Sequence, residues 1–147
     1  MPLSPGTKAP DFTLPDNSGN LISLENLTQN GLLALFFYPR DESPGCTRQA
    51  CHFRDHYEKL LERGVSVAGI SMGTVEMHNA FAHRHGFRYP LLADEDGSVH
   101  KEYGCLSLMG LWPRRVTYLL DEDKHIRLSF EDNFRMKRHV EAVLDAL

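Results

Sequence analysis

The sequence predicts an α/β fold, on three observations. An unbroken apolar run from Leu32 to Phe37 is typical of a central strand that is buried on both faces of a sheet. Other strand patterns alternate with helical patterns along the chain. Near the C-terminus, two strand patterns follow each other across a short turn at 121–124. Strands that alternate with helices and then end in a hairpin indicate a mixed sheet flanked by helices.

The first half of the chain supplies a hairpin, the central strand and the first long helix. Two short extended pieces on either side of a turn at 16–20 predict an N-terminal β-hairpin. After Leu32 to Phe37, the pattern predicts a helix from Thr47 to Arg63 that Gly64 stops. A second strand is predicted from Val65 to Ile70.

The second half continues the alternation. Thr74 can cap a helix that runs to about His85 and ends at Gly86. The remaining predicted elements are a short helix, two strands and a final helix, at 99–103, 115–120, 125–130 and 135–147.

Length, charge and composition limit the function. A chain of 147 residues is large enough for one core, so we expect a single domain over residues 1–147. Sixteen basic and 20 acidic residues give a net charge of −4, which makes nucleic acid and anionic membranes unexpected partners. No leader pattern opens the chain, and no segment approaches the about 18 apolar residues of a membrane span. We expect a cytoplasmic protein and a monomer.

Cys46 is the most informative single residue. It follows a Pro-Gly turn after the central strand and stands in the first turn of the next helical pattern. The sulfur would therefore lie among backbone N–H groups without helical partners, at the positive end of the helix dipole, where the thiolate is favoured. Because the thiolate is the nucleophilic form of cysteine, the sequence predicts an activated thiol.

Cys51 follows Cys46 by five positions. Two residues five apart on one α-helix have Cα atoms roughly 8 to 9 Å apart. A disulfide requires less than about 7 Å, so an intact helix cannot hold one between these cysteines. If they pair, the helix must unwind.

The segment from Phe37 to Thr47 resembles the peroxiredoxins, and most closely the subfamily known as peroxiredoxin Q or bacterioferritin comigratory protein. Pro39, Ser43 and Cys46 fall on the family motif P-x-x-x-T/S-x-x-C. The similarity continues in the same order over nearly the whole chain, at 50–55, 69–71, 81–86, 89–94 and 115–121. The resemblance implies a thioredoxin-like fold and a thiol-dependent peroxidase for hydrogen peroxide and organic hydroperoxides.

The resemblance also implies a role for each residue on the motif. Cys46 would be the peroxidatic residue, oxidised to a sulfenic acid, and Cys51 the resolving residue. Ser43 would hydrogen bond to the peroxide and the thiolate, while Pro39 would shield the pocket from water. Arg115 would stabilise the thiolate and the charge that develops on the leaving oxygen.

Backbone N–H groups of Gly45 and Cys46 would complete the substrate-binding anion site. No metal, flavin or other cofactor is expected, since the thiol performs the chemistry. The sequence has no G-x-G-x-x-G fingerprint after a strand, so we expect the electrons to come from another protein. The resemblance implies that this electron donor is a thioredoxin or a glutaredoxin.

Each of these assignments has a simpler alternative. Arg114 competes with Arg115 if the strand register shifts by one residue, since neighbouring residues on a strand point to opposite faces. Ser43 could serve only as a turn or helix-capping residue, and Pro39 could merely end the strand. Cys51 could be a core cysteine. The third cysteine, Cys105, matches no family position and is expected to be a spectator.

Two other classes of protein use the same residue types. In a metal-binding module, Cys46, Cys51, His52 and His56 would have to converge on one ion. On one helix only the two histidines share a face, so the sequence does not favour that class. A thiol redox sensor or interaction protein that uses the same cysteines without turnover is the alternative function.

Overall fold

A mixed β-sheet forms the centre of the molecule in the computed structural model, which describes residues 1–107, 110 and 112–147. Strand β3 (Leu32–Phe37) lies in the middle, parallel to β4 (Val65–Ser71) and antiparallel to β6 (Val116–Leu120). The outer strands are β5 (Leu91–Ala93), parallel to β4, and β7 (Ile126–Glu131), antiparallel to β6. The prediction of an α/β fold with a mixed sheet is confirmed.

Helices flank this sheet, and a small hairpin precedes it. Strands β1 (Thr13–Pro15) and β2 (Leu21–Ser23) pair antiparallel, as predicted for the N-terminal hairpin. The helices are α1 (Leu24–Thr28), α2 (Pro44–Asp55), α3 (Tyr57–Glu62), α4 (Val75–His85), α5 (Ser98–Glu102) and α6 (Lys137–Asp145). Within the described residues, none of these helices has the length and apolar character needed to cross a bilayer.

The sheet separates two apolar clusters. Alternate residues of β3 enter opposite clusters, because successive side chains on a strand point to opposite faces. Ala34 and Phe36 pack with side chains of α2, α3, α4 and α6. Leu33, Leu35 and Phe37 pack on the other face with α1, α5 and the N-terminal segment. The central strand is therefore covered on both sides, as its continuous apolar run predicts.

The prediction of one long helix from Thr47 to Arg63 is wrong in two respects. It begins earlier, at Pro44, and it is broken at His56 into α2 and α3. His56 has φ −104° and ψ 5°, outside helical values, and its imidazole Nδ1 lies 2.8 Å from the His52 carbonyl oxygen. A side chain thus shares the carbonyl that the helix ladder uses, and no Gly or Pro marks this break in the sequence.

The predicted capping of α4 is confirmed. Thr74 Oγ1 accepts a hydrogen bond from the Met77 N–H at 3.1 Å, and Gly86 ends the helix with φ 67°. The sequence pattern did not anticipate α1 or β5, which have only five and three residues.

The pairing of β3 with β6 determines what meets at one edge of the sheet. The C-terminal residue of β3, Phe37, lies opposite Val116, the first residue of β6. The loop that leaves β3 toward α2 therefore lies beside the segment that enters β6. This places Cys46, at the start of α2, beside Arg115, although 69 positions separate them in the chain.

Candidate active site

Cys46 lies in the first turn of α2, as predicted, and has no exposed surface. Ser43 is the N-cap residue and Pro44 is the first helical residue. The hydrogen bond from Thr47 N–H to the Ser43 carbonyl, 2.9 Å long, starts the helix ladder. The N–H groups of Gly45 and Cys46 precede that ladder, so they lie where helix N-termini bind anions.

Arg115 contacts the sulfur directly. Its Nη1 lies 3.1 Å from Cys46 Sγ and 2.8 Å from the Gln49 side-chain oxygen. The guanidinium is buried, which strengthens its interaction with a thiolate because water screens it little. Gly45 leaves the room that this approach needs, since a Cβ there would lie 3.2 Å from Arg115 Nη2.

Arg114 points away from the site. It donates to both carboxylate oxygens of Glu131, at 2.8 and 3.1 Å. Arg114 and Arg115 therefore face opposite sides, and the register that places Arg115 on Cys46 is the one that the structure adopts. A shift by one residue would exchange the two.

Gln49 is a site residue that sequence reasoning missed. Its oxygen accepts from Arg115, while its Nε2 is buried without a hydrogen-bond acceptor among the described residues. Arg115 Nε is also buried without an acceptor in this part of the chain. Two such donors beside Cys46 are suited to bind oxygen atoms of a small substrate. The signal was available, since Gln49 lies three positions after Cys46 and three-residue spacing shares a helix face.

Ser43 and Pro39 lie in the loop before α2, but their side chains make other contacts. The Ser43 hydroxyl donates to the Arg40 carbonyl at 3.0 Å and makes no hydrogen bond that caps α2. Pro39 is half-buried, and its carbonyl lies 3.5 Å from Ser71 Oγ. The hydroxyl hydrogen of Ser43 is thus directed at the backbone rather than at the sulfur.

All three cysteines are free thiols. Cys46 and Cys51 both lie within the single helix α2. On an intact helix their Cα atoms are too far apart for a disulfide. Cys51 is half-buried against the cluster that contains Cys46, and burial raises the pKa of its thiol. In the resting protein Cys51 is therefore held as the less reactive thiol form.

Cys105 lies on the other side of the sheet. It belongs to the cluster opposite that of Cys46 and has no exposed surface. Burial raises the pKa of Cys105 far above the usual range of a thiol, so it is inert at neutral pH. The geometry keeps it away from the pair on α2.

The grouping of histidines with cysteines does not form a metal site in the described residues. There, no group of three or more His, Cys, Asp or Glu side chains converges as metal ligands. The chemistry available at Cys46 is that of a buried nucleophilic sulfur facing a guanidinium, an amide donor and two backbone N–H groups. Such a site can attack an electrophilic oxygen and stabilise negative charge on the oxygen that leaves.

Comparison with known proteins gives a consistent family. A sequence model described as the AhpC/TSA family matches residues 5–129. The chain is 40% identical over 146 residues to a chloroplastic peroxiredoxin Q of Sedum lineare, covering 99% of this chain and 78% of that protein. It is 41% identical over 146 residues to the chloroplastic peroxiredoxin Q of Arabidopsis thaliana, covering 99% and 67%.

Solved structures agree with the sequence relatives. The fold matches that of peroxidoxin BcpB from Mycobacterium tuberculosis with a TM-score of 0.92 and 35% identity, over 98% of this chain and 96% of that one. It also matches a mutant of peroxiredoxin Q from Xanthomonas campestris with a TM-score of 0.83 and 25% identity, over 92% and 88%. The thioredoxin-like fold implied by the sequence resemblance is confirmed.

Proposed function

This chain belongs to the AhpC/TSA family as a peroxiredoxin of the Q or bacterioferritin comigratory protein subfamily, and on that premise we propose that Cys46 reduces hydroperoxides. Membership makes the protein a thiol peroxidase. The observation that supports Cys46 as the reacting residue is the Arg115 guanidinium at 3.1 Å from its buried sulfur, in the first turn of α2.

The first step is an attack by the Cys46 thiolate on the terminal oxygen of the hydroperoxide. The O–O bond breaks, the sulfur is oxidised to a sulfenic acid, and the other oxygen takes a proton and leaves as water or an alcohol. Arg115, the Gln49 amide and the first N–H groups of α2 stabilise the charge on the leaving oxygen. Hydrogen peroxide and organic hydroperoxides are the proposed substrates. Pro39 is proposed to shield the sulfur from water, and Ser43 to hydrogen bond to the peroxide and the thiolate, which requires its hydroxyl to leave the Arg40 carbonyl.

Cys51 completes the cycle as the resolving residue. Its sulfur attacks the Cys46 sulfenic acid, water leaves, and an intramolecular disulfide forms. A dithiol donor of the thioredoxin or glutaredoxin type then reduces this disulfide by exchange. The step requires α2 to open, because the two cysteines lie on one intact helix.

The alternative function is a redox sensor that uses the same cysteines without turnover. The peroxidase and the sensor both require oxidation of Cys46, so detecting that oxidation does not distinguish the two functions. Repeated cycles with a peroxide and a dithiol donor do, because a sensor is oxidised once and then needs its signalling partner.

The decisive experiment is thioredoxin-coupled oxidation of NADPH with hydrogen peroxide and with an organic hydroperoxide. We expect Cys46→Ser to lose peroxide reduction. Cys51→Ser should consume about one equivalent and stop as a sulfenic acid, since the first step needs only Cys46. Cys105→Ala is the control and should cycle normally. If the Cys46→Ser protein reduced peroxide at the wild-type rate, the proposed mechanism would be refuted. If the Cys51→Ser protein cycled normally, the resolving role of Cys51 would be refuted.

Location and assembly are part of the same proposal. Three free thiols suit a reducing compartment such as the cytoplasm. We further propose that the protein is a monomer, and that it has no nucleic-acid or membrane partner, the latter in keeping with the net charge of −4. Cell fractionation and the sedimentation coefficient of the reduced protein test these two proposals.

A further inference from the structure

A buried network of polar side chains holds the loop that joins β3 to α2. Asp41 lies in this loop between Pro39 and Ser43, with 7% of its surface exposed. Its Oδ1 accepts from the Tyr38 hydroxyl at 2.7 Å, and its Oδ2 lies 2.6 Å from Nδ1 of His78. Tyr38 and His78 have no exposed surface. A carboxylate buried this deeply is retained only where both of its oxygens have partners, as they do here.

The network connects the loop to three elements of the scaffold. Tyr38 directly follows β3, and its N–H donates to the Ile70 carbonyl of β4 at 3.1 Å. His78 lies on α4, and its Nε2 lies 3.4 Å from the carbonyl of Ser71, the last residue of β4. Asp41 is therefore held from both sides by groups whose own positions are fixed by packed secondary structure.

Tyr38 is suited to be a permanent donor in this network. Burial, and then the charge of Asp41, raise the pKa of Tyr38 well above its usual range, so its hydroxyl keeps its proton. The tyrosine ring also packs against Phe36, Phe81 and the imidazole of His78. A loop held by such contacts has few alternative arrangements.

We propose that Asp41 and His78 are positioning residues of the peroxide reaction, which fix the loop from Pro39 to Ser43 and with it the first turn of α2 against Arg115. The inference rests on the proposed role of Cys46. Five positions separate Asp41 from Cys46, and the chain between them contains Ser43 and Gly45. A displaced loop therefore moves the pocket wall and the helix N–H groups together, while the sulfur itself stays chemically the same.

Glu42, the neighbour of Asp41, provides a matched control. It also contacts α4, through His85 at 3.1 Å and Arg84 at 3.5 Å, but these pairs lie on the surface. Exposed ion pairs contribute little because water and salt screen them. Glu42→Gln should therefore leave both reactions of Cys46 described below unchanged, although it alters the same loop and the same helix.

The test compares two reactions of Cys46 in the reduced, full-length protein. Peroxide requires the thiolate and aligned oxygen-binding donors, whereas iodoacetamide requires only the thiolate and a local opening that lets the reagent reach the buried sulfur. In His78→Leu we expect the second-order rate constant with hydrogen peroxide to fall by about tenfold to a hundredfold, since small misplacements have such costs. The rate of Cys46 alkylation by iodoacetamide, read by mass spectrometry, should not fall with it, because a displaced loop does not cover the sulfur further.

Conservative variants separate positioning from general damage. In His78→Asn the amide nitrogen can replace Nδ1 as the donor to Asp41, so most of the peroxide rate should return. Asp41→Asn, which keeps an oxygen acceptor for only one of its two donors, should show the same selective loss as His78→Leu and decides the matter if that variant does not fold. Unchanged peroxide rates, or equal losses in both reactions, would overturn the proposal. Failure of the proposed function would appear separately, as wild-type protein in which Cys46 is alkylated but not oxidised.

Discussion

Arg115 brings a positive charge to 3.1 Å from the sulfur of Cys46, and Arg114 beside it is a natural control. Loss of a charged donor at a developing oxyanion reduces rates by about a hundredfold or more. We therefore expect Arg115→Ala to lower the rate constant of Cys46 oxidation by peroxide by about that factor. Arg114→Ala removes only a partly exposed pair with Glu131 and should change the rate little. Stopped-flow kinetics with hydrogen peroxide measure both.

The opposite pattern would contradict the site geometry. If Arg114→Ala were slow and Arg115→Ala normal, the segment entering β6 would have the other register in solution. The side-chain oxygen of Gln49, which accepts from Arg115 at 2.8 Å, would then have lost its donor.

The residues of the site differ in how far the sequence could predict them. Cys46 was predicted because its position after a strand and a Pro-Gly turn coincides with the family motif, whereas a cysteine in that position without the motif is more often an inert, buried thiol. Arg115 was predicted only through the family resemblance, and alternation along a strand could not choose between it and Arg114. His78 gave no signal, because its partner Asp41 is 37 positions away and only the fold brings them together.

Helix α2 must change its structure during the proposed cycle. The Cys46 to Cys51 disulfide cannot form on an intact helix, so the oxidised protein must lose helical hydrogen bonds between these residues. It must also disturb the packing of Phe53, which is buried and stacks on Phe36 at 4.5 Å, and the 2.6 Å hydrogen bond from the Tyr89 hydroxyl to the Ala50 carbonyl. We expect amide hydrogen exchange to show loss of protection over about residues 46–57 on oxidation, while β3 stays protected.

The Cys51→Ser protein is the control for this exchange experiment. Its Cys46 can be oxidised but cannot form the disulfide, so α2 should keep its protection. If mass spectrometry confirms the disulfide in the wild type and protection over that segment is unchanged, the cysteines do not share a continuous helix in solution. Each backbone hydrogen bond contributes about 1 kcal/mol net, so a stable disulfide can offset the opening.

At the level of elements, the sequence was informative wherever a pattern was long or punctuated. The bounds of β3 agree with the prediction, and Thr74 and Gly86 delimit α4 as expected. The break at His56 was not predictable, because it depends on an imidazole that bonds the backbone rather than on a helix-breaking residue.

On the scale of the whole molecule, the sheet keeps two kinds of buried thiol apart. One face carries the cluster that contains Cys46, the reactive thiol in the first turn of α2. The other face carries the cluster that contains the inert thiol Cys105. Periodicity alone predicted only an α/β arrangement, since many strand orders share it. The antiparallel pairing of β6 on β3, which brings Arg115 to Cys46, came from tertiary structure.

His139 joins α6 to the sheet and should make the stability of the whole fold depend on pH. It is buried, with Nδ1 at 2.7 Å from Thr117 Oγ1 and Nε2 at 2.8 Å from the Asp132 carbonyl. Burial lowers the pKa of His139 to about 4. The hydrogen bond to the Asp132 carbonyl opposes this shift, and the positive charge of Arg115 adds to it. In the unfolded chain a histidine has a pKa of about 6.5, so between these values the unfolded chain binds a proton that the folded protein does not.

This contribution is complete above about pH 6.5 and is lost as the pH falls toward 4. We expect the free energy of unfolding, measured with urea on the reduced protein, to fall by about 2 kcal/mol between pH 7 and pH 5. His139→Gln lacks the titrating ring, so it should be less stable at pH 7 but should lose much less on acidification. His83→Gln, an exposed position on α4, should keep the wild-type dependence. If His139→Gln shows the same fall as the wild type, then other groups cause the acid sensitivity and His139 is not held neutral by its burial between α6 and the sheet.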